Sequence, residues 1–300
     1  MRPSLPPARA RARARARSLF SLSLSLSLSL SLSLSLSFSL SLSVLSACTE
    51  NQTPLPSTPP PPPVSCLPDL DGALTAAEVP TVLDLPAVYL VTPQAPVDVA
   101  GAGAGDTRRW DWSDERREDT AADIVATALD DQWYAPMFPG GQFVTAGTGG
   151  LDGVYARDVA AVYLLGVASP AADPPGGRTL LVYDRPVAVM RFPLAEGDVW
   201  TETVTITGGT LAGLPYNGTD TYAFAADASG ELHLPYVRFA GALRLRTLVT
   251  STPAIGGGAT TRRQVSFWFE CFGEIGRATS RANEPATDFT TAEELRRFAL

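Results

Sequence analysis

Residues 237–250, VRFAGALRLRTLVT, and 260–271, TTRRQVSFWFEC, carry the clearest structural signal in the chain. In the first, Val237, Phe239, Leu243, Leu245 and Val249 hold odd positions, while Arg238, Arg244 and Arg246 hold even ones. Side chains alternate faces along a strand, so this parity predicts a strand with one packed and one solvated face. The return segment keeps the pattern, with Val265, Phe267, Phe269 and Cys271 on one side, and Pro253–Gly258 (PAIGGG) supplies the turn. On this reading Cys271 points to the core, on the last strand of the sheet.

The same texture extends upstream. Runs rich in Val, Tyr, Leu, Thr and Phe, broken by Gly, Pro and Asp, predict strands at 87–91, 97–100, 107–113, 123–128, 142–146, 153–156, 160–168, 179–183, 187–191, 199–207, 219–225, 236–250 and 260–273. The expected fold is all-β, an antiparallel sheet forming an open barrel or a sandwich. One helix is expected, at the C-terminus. Thr291 and Glu294 have capping-box spacing, acids precede arginines as the helix dipole favours, and Leu295 and Phe298 share the face that would dock on the sheet.

The N-terminal quarter is of another kind. Residues 1–17 are basic, residues 18–44 are largely a Ser-Leu repeat, and Leu45-Ser46-Ala47-Cys48 follows. This arrangement resembles the precursor of a bacterial lipoprotein, with Cys48 as the lipidated residue and 1–47 as a cleaved signal peptide. An uncleaved membrane anchor is the rival reading, because secretory apolar regions usually run only about 7 to 15 residues. Residues 48–65, with Pro59 to Pro63 at their centre, read as a linker favouring polyproline II, a spacer of roughly 50 Å at about 3.1 Å per residue. Residues 66–300 are then a single β domain. The resemblance extends to exported lipoproteins of GC-rich Gram-negative bacteria through Pro193-Leu194, Gly197 and Trp200, a turn-and-strand element. It implies an outer-membrane location by lipid anchor and carries no catalytic residue.

Six of the 23 cationic residues, all arginine, precede Cys48, and none of the 31 acids does. The chain from Cys48 onward is therefore strongly acidic, which disfavours nucleic acid as a partner. Lipidation of Cys48 leaves Cys66 and Cys271, and an even pair in an exported protein predicts a disulfide.

Chemical motifs are few. Asp69, Asp71, Thr75 and Glu78 resemble the latter part of an EF-hand calcium loop, but Leu67 stands where the first ligand belongs. The competing reading is an Asp-Gly turn followed by a Thr75–Glu78 capping box. His233 is the one histidine, without the partners of a catalytic dyad or a zinc site. Gly101 to Gly105 lacks the following helix that a phosphate loop needs, so no cofactor is expected. Trp110 and Trp112 share a strand face, and Trp133 and Tyr134 open an aromatic cluster. Both groups are candidate ligand platforms, weighed against simple core filling. Arg244, Arg246 and Trp268 make a third group on the final hairpin. The leading functional expectation is non-catalytic binding of an apolar, glycan or protein partner at the cell envelope, or a structural role there. The alternative is a hydrolase acting through two carboxylates.

Overall fold

The computed structural model describes residues 66–299. The leader, Cys48 and the linker lie outside them. Among the described residues no helix is long and apolar enough to cross a membrane, and the chain forms sixteen strands. They are β1 (Ala73–Leu74), β2 (Ala87–Pro96), β3 (Arg109–Asp111), β4 (Thr120–Ile124), β5 (Thr127–Ala128), β6 (Phe143–Ala146), β7 (Asp152–Arg157) and β8 (Ala161–Ala168). The remainder are β9 (Leu180–Arg191), β10 (Leu194–Ala195), β11 (Val199–Leu211), β12 (Leu214–His233), β13 (Arg238–Pro253), β14 (Thr260–Phe269), β15 (Gly273–Thr279) and β16 (Thr291–Phe298).

Fourteen of these make one sheet in the order β4-β2-β16-β15-β14-β13-β12-β11-β9-β8-β7-β6-β5, with β3 added parallel to β12. The path is antiparallel throughout, as the alternating runs and short turns predict. No ladder closes it into a barrel. The sheet folds over on itself instead, so that its halves face each other as in a sandwich. Its two edges are consecutive in the chain, since only Val125 and Ala126 separate β4 from β5.

Where one face meets water the period is plain. Along β11, Trp200, Val204 and Ile206 are buried inside while Thr201, Thr203 and Thr205 are exposed. The central hairpin differs from its sequence reading in two ways. First, Gly230 pairs with Ala242 and Glu231 with Ala240, so Gly241 is an extra residue on β13. Its φ of +86° suits glycine, and the bulge reverses the parity of the residues beyond it. Phe239 and Ala242 therefore join an outer cluster with Trp110, Trp112 and Phe267, while Leu243 and Leu245 join the inner cluster with Trp200 and Phe224. Second, Arg244 stands opposite Phe267 and Leu243 opposite Trp268. The odd residues of β14 thus share a face with the arginines of β13, and both faces are covered.

The covering layer explains this. Residues 97–118 run over the outer face; of the strands predicted there, the one at 107–113 is present as the short β3, whereas 97–100 is irregular chain. There Val97, Val99, Trp110 and Trp112 pack on Phe267, Ile275 and Leu295. A second outer cluster, around Tyr134 and Phe138, covers β6 to β8.

The expected C-terminal helix is β16. It lies between β15 and β2, with Leu295 aligned to Ala278 on one side and Thr92 on the other. Both faces of this strand are buried, so Arg296 and Arg297 point to opposite sides and each finds partners in the fold. Arg297, fully buried, donates to the carbonyls of Trp112 and Asp114 and to Asp119. Those tertiary bonds override the local capping signal.

Cys66 and Cys271 form the expected disulfide, with Cα atoms 5.6 Å apart. Cys271 is not on the last strand, however. It sits half-buried in the turn between β14 and β15, at a φ of +67°. From Cys66, residues 66–85 cross one end of the folded sheet. They are tied down by the β1–β10 pair, by the Cys271 N–H donating to the Glu78 carbonyl, and by the Asp84 N–H donating to that of Ala126.

Candidate functional site

The inner faces of the two halves do not meet everywhere. Between them lies a cavity of about 650 Å³, reaching from the 66–85 segment and Phe272 at one end to Ser251, Thr260 and Arg262 at the other. One wall is apolar: Phe143, Tyr155, Val162 and Leu164 from β6 to β8, Met190 from β9, Tyr222 and Phe224 from β12, and Leu245 and Val249 from β13.

The lining turns polar at β14, which pairs with β13 so that Ser266 stands beside Leu245. Gln264, Ser266 and Trp268 of β14 alternate inward, and the ladders continue them sideways. Ser266 aligns with Arg277 and that with Arg296, while Gln264 aligns with Thr279. Arg277 is held by Glu274 through two bonds, Nε to Oε1 at 2.8 Å and Nη2 to Oε2 at 2.5 Å. Arg296 donates to Glu294 at 2.6 Å and to the carbonyls of Ala146 and Gly147 at 3.1 and 2.7 Å, so β16 is cross-linked to the far end of β6. Gln264 donates to Ser266 Oγ at 2.9 Å, and Tyr89 donates to the Glu274 carbonyl. Burial raises the Tyr155 and Tyr89 hydroxyls above the ordinary phenol value, so both stay neutral.

Two buried polar atoms on this wall, Trp268 Nε1 and Thr279 Oγ1, have no hydrogen-bond partner among the described residues. Glu274 is the one carboxylate among the lining residues.

The platforms expected from sequence lie elsewhere. Trp110 and Trp112 are fully buried in the outer layer, their indole N–H groups donating to the carbonyls of Val99 and Asp98. Gly101 leaves the space that the Trp110 ring fills. Tyr134 is buried and donates to Asp152 at 2.7 Å, and Trp133 is half-buried, donating to the Ser169 carbonyl beneath Arg178. Trp110, Trp112 and Tyr134 thus fill the core and its outer layer, while Trp133 stays half-buried under Arg178. Arg244 and Arg246 do converge, but on Asp227, and Arg244 lies over Trp110 at 5.1 Å rather than over Trp268, which is on the opposite face.

The calcium set is likewise rearranged. Asp71 caps its own turn by accepting the Ala73 N–H, and Thr75 is bound to Glu78 through both its N–H and its hydroxyl, the capping reading. The acids that approach one another are Asp69, Glu78 and Glu270. Glu270 Oε2 already accepts the N–H groups of Asp69 and Leu70 at 2.6 and 2.8 Å, so these carboxylates fasten the entering chain. His233 is buried with Nε2 2.9 Å from Glu231, far along the sheet from the cavity wall.

The polar wall was visible in part. Arg262, Gln264, Ser266 and Trp268 all hold even positions, but a polar face reads as a solvated one unless the folding-over of the sheet is known. Arg277 and Thr279 lay in a segment not expected to be a strand, and Arg296 lay in the expected helix. Comparison with family models, curated proteins and solved structures finds no match to this chain.

Proposed function

We propose that this chain is a non-catalytic binding protein of the cell envelope, tethered to the outer membrane through a lipid on Cys48, and that it holds a small amphiphilic molecule in the cavity between the halves of its sheet. The observation that carries the reading is the cavity itself, lined by an apolar stretch and, from β14 onward, a hydrogen-bonding one. Its volume of about 650 Å³ lies within the range of roughly 300 to 1,000 Å³ common to small-molecule pockets. A protein serving only as a structural element would gain stability by filling that space. Hydrolysis by paired carboxylates is not favoured, because the lining supplies Glu274 alone and Arg277 occupies it.

The end of the fold where the linker joins supports the envelope location. Leu67, Leu70, Val82, Leu83, Leu85 and Phe272 are exposed there, around Cys66 and its disulfide. Several of them also line the cavity's end, so an apolar rim lies beside the attachment point.

Native mass spectrometry of the protein purified from its own envelope tests this reading. A bound molecule of lipid-like mass is expected, and Leu245→Trp, which fills the cavity, should remove it. Protein that carries nothing and takes up no neutral apolar probe such as N-phenyl-1-naphthylamine would overturn it.

A further inference from the structure

Resting on the reading of a tethered chain, we propose that the apolar rim around Cys66 is a membrane-contact surface: it seats on an uncharged lipid surface and turns the near end of the cavity toward the hydrocarbon. The rim consists of Leu67, Leu70, Val82, Leu83, Leu85 and Phe272, all exposed. Five belong to the segment that enters the fold, and Phe272 follows the cysteine that the disulfide joins to it. Single exposed apolar side chains are ordinary, whereas several gathered at one end of a fold mark an interaction surface.

These side chains are held outward by bonds made beneath them. Glu270 accepts the N–H groups of Asp69 and Leu70, Arg157 donates to the Ala76 carbonyl and the Thr81 hydroxyl, and the Asp84 N–H reaches the Ala126 carbonyl. Phe272 rests edge-on against Phe298, between Cys271 and Gly273, both at positive φ. The fastened segment keeps its leucines at the surface.

Three features favour lipid as the covering partner. The chain that carries Cys48 joins the fold at Cys66, so a lipid on Cys48 brings this end to the bilayer. Val82, Leu85 and Phe272 line the cavity as well as the surface, which makes rim and cavity wall one continuous apolar path for an amphiphile. Charge then selects the kind of lipid. Residues 66–85 contain no cation, and Asp69, Asp71 and Asp84 are exposed among the leucines. Such a surface is drawn in by apolar burial, about 5 to 10 Å into the headgroup and acyl boundary, and gains nothing from anionic head groups, which attract basic segments.

The test places tryptophan at the rim and at the far end of the fold. Leu85→Trp and Leu67→Trp probe the rim, and Ile255→Trp probes the exposed turn between β13 and β14, beyond Ser251 and Thr260. Each lipidated protein is reconstituted on vesicles of phosphatidylcholine brominated near the head of its acyl chains, and the wild-type emission is subtracted. The added emission at 85 and 67 should be largely quenched and that at 255 unaffected, with no gain when phosphatidylglycerol is mixed in. Protein that stays on the vesicles with its rim quenched no more than position 255, or quenched only with phosphatidylglycerol present, would overturn the proposal and leave the tether standing. A dimeric mass by light scattering with an unquenched rim would assign the rim to a second copy and overturn it equally. Protein that leaves the vesicles altogether would overturn rim and tether together, while uptake of N-phenyl-1-naphthylamine still judges the cavity separately.

Discussion

Arg277 and Arg296 are direct cross-strand neighbours in the β15–β16 ladder, and each is neutralised from its own strand, by Glu274 and Glu294. Like charges placed opposite each other destabilise a sheet, so the two glutamates hold this wall together. Glu274→Gln should lower the unfolding free energy by about 3 kcal/mol, the cost of leaving a buried charge unmatched. The paired change of Glu274→Leu with Arg277→Met should recover most of it. Urea unfolding of the three proteins measures this, and a neutral single substitution would contradict it.

The disulfide joins residues 205 apart in sequence, and closure of so long a loop restricts the unfolded chain strongly. Cys271→Ser is expected to cost about 2 to 5 kcal/mol. Thermal unfolding with and without reductant gives the same comparison on the unaltered protein. Wild type insensitive to reductant would argue against the bond.

Gly241 reverses the parity of β13 from a φ of +86°, with nothing closer than Leu70 Cδ2 at 4.0 Å to where a Cβ would be. Gly241→Ala therefore meets no clash and isolates backbone strain, about 1 to 2 kcal/mol. Gly241→Asn, which tolerates this region better, should lose less. Denaturant midpoints rank the two, and equal losses would mean that the bulge is relaxed.

Asp220 is buried beside Tyr183, and desolvation raises its pKa despite hydrogen bonds from Ser251 and Tyr183. A raised folded-state pKa means that the folded protein holds the proton more tightly than the unfolded chain. The stabilisation is complete below the unfolded value of about 3.9 and disappears as pH rises through the folded one. Asp220→Asn should thus gain on wild type as pH increases from about 4 and then level off. Unfolding free energies across that range test it, and a constant difference would show that Asp220 does not titrate on folding.

The strand pattern was legible because alternation is a local signal, and β11 displays it without interference. The fate of each face was not legible. In β14 the polar residues that alternation assigns to solvent line the cavity, and the apolar ones pack beneath Trp110 and Trp112. That outer layer is built by residues 97–118, where the alternation at Trp110 and Trp112 marks β3 but the rest of the chain is irregular and carries no period. β16 fails for a related reason: buried on both faces, it shows no alternation, and the capping pattern at Thr291 and Glu294 suits an isolated helix better than a strand whose arginines find partners in distant chain. The cysteine pair was predictable by counting, whereas the position of Cys271 in a turn depended on Glu270 and Cys271 fastening the entering segment.

The order of β4 and β5 bears on how the molecule behaves among its own copies. A sheet that never closes leaves two rows of unpaired backbone groups, and a long bare row invites strand addition by a neighbour. Here the terminal strands are five and two residues long and succeed one another on a single run of chain, with Ala126 between them bridged by Leu83. Neither end offers a template long enough to seed fibre growth. The two short ends thereby give a second copy little backbone to pair with at the limits of the sheet.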